Sequence, residues 1–262
     1  MGVAQESTTE QGRTPVKRVT GTLYGIGVGP GDPELVTVKA DRILRTVPVL
    51  AVPTSYSDAG SMAMGVIAPL LEKRRQEGRF PEIVSLLFPM TREEDVLSEA
   101  RKKNGDAMLE ALSRGDVAFV ALGDILFYST FGNLLAGLGD RIPGLSVEIV
   151  PGVTSYSAAA GRLVEPLVQG SERLAILPAV YSPEEIEEVL DRFEVVVLMK
   201  INKVFSRILE ILEKKDLLHC AAFVSMVGLP EERVIRRLRD VPPGSVPYMS
   251  LLVIRKNGWL NA

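Results

Sequence analysis

The sequence predicts an α/β protein with substantially parallel sheet, arranged as two α/β halves. Three observations carry this. Short apolar runs alternate with longer stretches of helical periodicity. Several of the runs end in Gly-, Pro- or Ser/Thr-containing turns that open a helix. The chain has 262 residues and is 46% hydrophobic, enough for one large core or two medium ones.

Residues 1–18 (MGVAQESTTEQGRTPVKR) are polar, lack an apolar h-region and read as a flexible tail. Apolar runs at 22–28, 47–52, 83–88, 117–122 and 146–150 then read as strands. A second set follows at 173–177, 195–200, 221–226 and 248–255. Between them, 34–45 (ELVTVKADRILR) sets Leu35, Val38, Ile43 and Leu44 near helical spacing. The remaining helices are expected at 61–77, 93–114, 130–138, 155–163, 183–192 and 203–214. A join near 123–128 divides the chain into an N-terminal α/β domain at 19–122 and a C-terminal one at 123–262. One long sheet would accommodate the same strands.

Composition removes several classes of chemistry. Thirty Lys plus Arg against 33 Asp plus Glu gives a net charge of −3. With a pI near 5.5, that balance disfavours a general nucleic-acid binder. The single cysteine, Cys220, excludes an intrachain disulfide and a cysteine-cluster zinc site. The single histidine, His219, excludes His-pair metal motifs and weakens any His-based triad. No metal is expected. Both residues lie in LLHCAAFVSM, which reads as a strand with a buried thiol. No run of 18 apolar residues occurs, so no membrane span is expected, and the expected compartment is the cytoplasm.

Four turns carry the candidate chemistry. Residues 25–33 (GIGVGPGDP) follow the first strand with four glycines and two prolines. Such a turn lets backbone approach a ligand closely. It is no dinucleotide fingerprint, because Pro30 or Asp32 stands where the third glycine belongs, and no Gly-Lys-Ser/Thr makes it a P-loop. The plainer reading is a tight connection. Residues 122–130 (LGDILFYST) start at the carboxyl end of a buried strand, where open α/β sheets bind ligands. Asp124 there either caps its own turn or holds a polar small molecule. Residues 150–156 (VPGVTSY) repeat the strand–turn–helix pattern, with Thr154 and Ser155 as caps or contacts. The strand at 195–200 ends in Met199 and Lys200.

Together these turns resemble the class III, tetrapyrrole, S-adenosylmethionine-dependent methyltransferases over roughly residues 21–256. GVGPGDPELVTVKA is similar to that family's opening signature. The narrower likeness is to precorrin-2 C-20 methyltransferases and their cobalt-factor II counterparts in cobalamin synthesis. It is carried by VPTS followed by GSMA, GDILFYST, VPGVTSYSAAAGRL, PLVQGSERLAILPA, VVLMKINK and PYMSLLVIRK. Uroporphyrinogen methylases usually show a GDPFIFGR-like second motif; here Ile125 replaces the proline and Tyr128-Ser129-Thr130 stands where Gly-Arg would be.

The resemblance implies a two-domain tetrapyrrole methylase fold, with S-adenosylmethionine in the inter-domain cleft of a homodimer. It carries cofactor contacts onto Pro30, onto Gly123, Asp124 and Phe127 flanked by Leu122 and Leu126, and onto Thr154, Ser155 and Met199. Val227 and Gly228 fall near the adenosine. An anionic tetrapyrrole needs cations, and Lys39, Arg173, Lys200 and Lys203 are the candidates by position. Asp32, Tyr128 and Tyr156 are the candidates for accepting the substrate proton. The implied reaction is methyl transfer to C-20 of precorrin-2 or cobalt-factor II. The alternatives are another ring position, as in uroporphyrinogen III methylation, another substrate such as rRNA or diphthine, or a non-catalytic nucleotide-binding module.

Overall fold

The computed structural model describes residues 19–55, 61–139, 141–142, 144–178, 182–242, 244 and 246–259. The expected tail at 1–18 lies outside them. Strands β1 (Leu23–Gly27), β2 (Val49–Thr54), β3 (Glu82–Leu87), β4 (Val117–Ala121) and β5 (Val147–Val150) form one sheet. Its order is β3-β2-β4-β1-β5 and every pairing is parallel. Helices α1 (Val38–Leu44), α2 (Met62–Gln76), α3 (Glu94–Arg114) and α4 (Phe131–Gly139) connect these strands.

β4 (VAFVA) is buried throughout, as a central parallel strand covered on both faces must be. Val117, Phe119 and Ala121 enter one core with Met108 and Leu112 of α3 and Leu134 of α4. Ala118 and Val120 enter the opposite core with Leu44 of α1 and Ile67 and Leu71 of α2.

The second sheet contains β6 (Leu174–Pro178), β7 (Val195–Met199), β8 (Ala221–Ser225), β9 (Arg233–Ile235) and β10 (Ser250–Arg255), in the order β6-β7-β10-β8-β9. Helix α5 (Ser155–Leu163) leads into it, and α6 (Pro183–Arg192) and α7 (Phe205–Lys214) cover one face. Ser182 and Glu185 close a capping box at the start of α6, with Pro183 in its first turn. Ala159 and Leu163 of α5 pack on the other face against Val197, Val224 and Val253.

The α/β alternation is as expected, but the sheets differ in detail. The second is mixed, because β10 inserts antiparallel between β7 and β8. Only β6 and β7 pair in parallel there, since the segment after β8 contributes short β9 rather than a crossover helix. The change of sheet falls after Val150, not at 122/123, because β5 returns to pair with β1, Leu23 opposite Val147. The 123–128 segment reads as a join by composition, yet it is a strand-end turn inside the first sheet. The 34–45 helix splits into a 3-10 turn, Pro33–Leu35, and α1. Asp32 caps the first and Thr37 the second, with Val36 extended between them. His219 and Cys220 lie in a 3-10 turn before β8 rather than in the strand; His219 is exposed and Cys220 is buried.

Candidate active site

The carboxyl ends of the parallel strands decide where the site lies. After β1 the chain crosses to one side of the sheet, and after β4 it crosses to the other, so β1 stands at the switch in strand order. Three turns leave the sheet there and meet backbone to backbone. Gly29 N–H donates to Gly123 O at 3.2 Å, and Gly123 N–H donates to Gly29 O at 2.6 Å. A Cβ on Gly27 would stand 2.6 Å from the Gly123 carbonyl oxygen, and one on Gly152 only 2.2 Å from the same atom. The glycines are therefore dictated by contact between turns.

Asp124 fastens this junction. One carboxylate oxygen accepts the Leu126 N–H at 2.9 Å, closing its own turn, and the other accepts the Gly152 N–H at 2.9 Å. The capping reading is the one the geometry shows: the side chain closes its own loop, ties it to the 150–156 turn and borders the cleft. Phe127 stacks edge-on with Tyr128 and Tyr156, at centroid distances of 4.8 and 5.2 Å. Tyr128 has a left-handed backbone (φ +50°) and its hydroxyl donates to Ile176 O on β6 at 3.1 Å, tying the first sheet's turn to the second sheet. Thr154 caps α5 through the Ser157 N–H at 3.3 Å.

These turns enclose a cleft of about 210 Å³ whose far wall comes from the second sheet. Pro30, Leu122, Gly123, Asp124, Phe127, Thr154, Ser155, Met199 and Val227 all line it, so most of the expected cofactor set is brought together. Gly123 (φ +74°) has nothing within 4 Å of where a Cβ would be, leaving bare backbone beside open space. Close approach by a ligand needs that arrangement. Two of the set stand apart from the lining: Leu126 is 62% exposed, and Gly228 packs on the Asp32 backbone nitrogen.

The candidate cations separate. Lys200 lines the cleft, held left-handed (φ +58°), with its Nζ 5.9 Å from the Tyr248 ring centroid. Lys39, Arg173 and Lys203 are not brought to the lining. Lys39 pairs with Glu148 at 2.6 Å. Arg173 forks onto Glu194 at 2.9 and 3.1 Å and holds that carboxyl down to about 2. Lys203 is exposed on the 3-10 turn after β7. The proton-acceptor candidates separate too. Asp32 accepts the Glu34 N–H at 2.9 Å and is not in the lining; Tyr128 and Tyr156 both line the cleft, with the Tyr128 hydroxyl donating to Ile176 O.

Sequence reasoning missed Val224, Tyr248, Met249, Ser250 and Leu251, which complete the far wall. A tyrosine just before the apolar run at 251–254 was the available signal. Among the described residues, no group of three or more His, Cys, Asp or Glu side chains is placed to hold a metal. No described helix is long and apolar enough to cross a membrane.

A parallel sheet whose strand-end turns converge with a second sheet around a cleft of bare backbone and apolar walls defines a small-molecule-binding α/β protein. The chain belongs to the tetrapyrrole (corrin/porphyrin) methylases, whose profile matches residues 22–242. It is 32% identical to a cobalt-precorrin-2 C(20)-methyltransferase of Salmonella typhimurium over 240 residues, 91% of this chain and 98% of that protein. It is likewise 32% identical to a precorrin-2 C(20)-methyltransferase of Sinorhizobium over 252 residues, covering 91% and 96%. A Thermus thermophilus uroporphyrin-III C-methyltransferase, solved with S-adenosylhomocysteine, shares the fold at a TM-score of 0.58. The two are 24% identical over 89% of this chain and 97% of that one.

Proposed function

We propose that this protein transfers a methyl group from S-adenosylmethionine to C-20 of precorrin-2 or its cobalt form, in cobalamin biosynthesis. The observation that carries the reading is the convergence of the family's turns on one cleft, supported by C(20)-methyltransferase relatives matched over nearly their whole length. The Thermus neighbour's complex with the demethylated donor accords with this choice.

The donor supplies an activated methyl on a neutral leaving group, so the chain's task is alignment and proximity. Pro30, Gly123, Phe127 and Met199 provide bare backbone and apolar surface against which the donor is held. Asp124 keeps the central turn in place. Lys200 is the proposed anchor for a substrate carboxylate, as the one cationic side chain among the described residues of the lining. Tyr156 is the proposed station through which the substrate proton leaves to solvent, since Asp32 and Tyr128 are hydrogen-bonded within the protein. The change of sheet after Val150 supports placing the domain division there. A homodimer and a cytoplasmic location belong to the same proposal.

Calorimetric titration of the purified protein with S-adenosylmethionine tests the reading. Saturable binding at one site per chain is expected; absence of binding would overturn it.

A further inference from the structure

Helix α5 touches the cleft twice, once directly and once through a relay. Its first residues line the cleft, and Arg162 in its last turn reaches Glu232, Nε to Oε2 at 3.0 Å, across 70 residues of sequence. The same Oε2 accepts the Gly228 N–H at 2.7 Å. Gly228 belongs to the turn after β8, next to the cleft residue Val227.

That turn needs holding. Met226 (φ +52°) and Gly228 (φ +80°) are both left-handed, a conformation that only glycine takes readily. It also bears directly on the Gly-rich turn of the first sheet. A Cβ on Gly31 would stand 2.7 Å from Val227 O, and one on Gly228 would stand 2.6 Å from Asp32 N. The seat of Val227 beside Pro30 therefore depends on where the Gly228 amide is held.

We infer that Glu232, oriented by Arg162, is a positioning residue for this wall of the cleft: it fixes the Gly228 amide, and through it the surface that Val227 presents to the methyl donor. The inference rests on the methyltransferase reading for the identity of that ligand. The Glu232 side chain is 22% exposed and that of Arg162 is 49% exposed. The carboxylate–amide bond is the holding element, and the ion pair orients it under solvent screening.

The test uses Glu232→Ala, Glu232→Gln and Arg162→Ala in the full chain. It has two readouts: amide hydrogen exchange across 226–232 without ligand, and S-adenosylmethionine affinity with kcat and KM measured separately. Glu232→Ala is expected to speed exchange at Gly228 and weaken donor binding, each by about tenfold, with kcat nearly unchanged. Glu232→Gln keeps an oxygen acceptor and is expected to restore both to near wild type. Arg162→Ala is expected to fall between, its difference from wild type closing at high ionic strength. Should Glu232→Ala fail to fold, Glu232→Asp, one methylene short of Gly228, is expected to show the faster exchange. Unchanged exchange in the Ala or Asp variant would overturn the inference, as would faster exchange with unaltered donor affinity. Failure of the wild type to bind donor would instead remove the methyltransferase reading, while the exchange data still decide whether Glu232 holds the turn.

Discussion

Asp124 shows how one carboxylate joins two turns at the edge of the cleft. It spends its two oxygens on the Leu126 and Gly152 amides, so Asp124→Ala loses two hydrogen bonds to a charged acceptor. The expected cost is ~2 kcal/mol of stability in urea unfolding, with weakened donor binding in the same variant. Asp124→Asn retains one acceptor and is expected to lose less of both. Arg173 illustrates the opposite case, a candidate substrate cation engaged elsewhere. It holds the Glu194 carboxyl down at about 2 against an ordinary 4.5. A depressed folded value means the pair's contribution is present above the ordinary value and is lost as pH falls through about 2. Arg173→Ala is therefore expected to return the Glu194 titration, followed by NMR, toward the ordinary range without altering methyl transfer; a marked loss of substrate affinity would restore Arg173 to the site. Sequence placed Arg173 at the start of a strand, one residue before β6 begins, but its partner is set by the pairing of β6 with β7, which no local pattern encodes.

At the scale of elements, the turns are where sequence and geometry agree most closely. Gly27 reads in the sequence as part of a turn that admits close approach, and in the structure it meets Gly123 and Gly152 at the contact between three separate turns. Gly152→Ala would drive a Cβ to 2.2 Å from the Gly123 carbonyl, and is expected to destabilise the fold by ~2 kcal/mol or more. Gly161→Ala is the control. On α5 with nothing within 4 Å of a new Cβ, it is expected to stabilise by ~0.5–1 kcal/mol. Equal effects from the two in denaturant titration would contradict the packing account. Helix positions were legible because caps and periodicity are local, as Thr154 before α5 shows, whereas the cap at Thr37 lay hidden inside the continuous helical spacing of 34–45. Short β9 escaped because three half-exposed residues carry little periodicity.

For the whole molecule, the sequence conveyed the α/β class and the turns that matter, but not how the strands are shared between sheets. Strand order is a non-local property: β5 returns to β1 across α4, and β10 slips between β7 and β8, with no residue marking either event. The same limit explains the far wall of the cleft. Tyr248 to Leu251 reach it only because β10 is placed next to β7, where Leu251 pairs with Met199. The composition, poor in histidine and cysteine, suits a reaction whose donor brings its own reactivity and whose protein supplies alignment.

The central claim is the site of methyl transfer. Incubation with methyl-labelled S-adenosylmethionine and either precorrin-2 or its cobalt form, followed by NMR of the product, reads it directly. The account predicts label on C-20 with at least one of the two substrates; label at any other ring carbon, or no transfer to either, would contradict it.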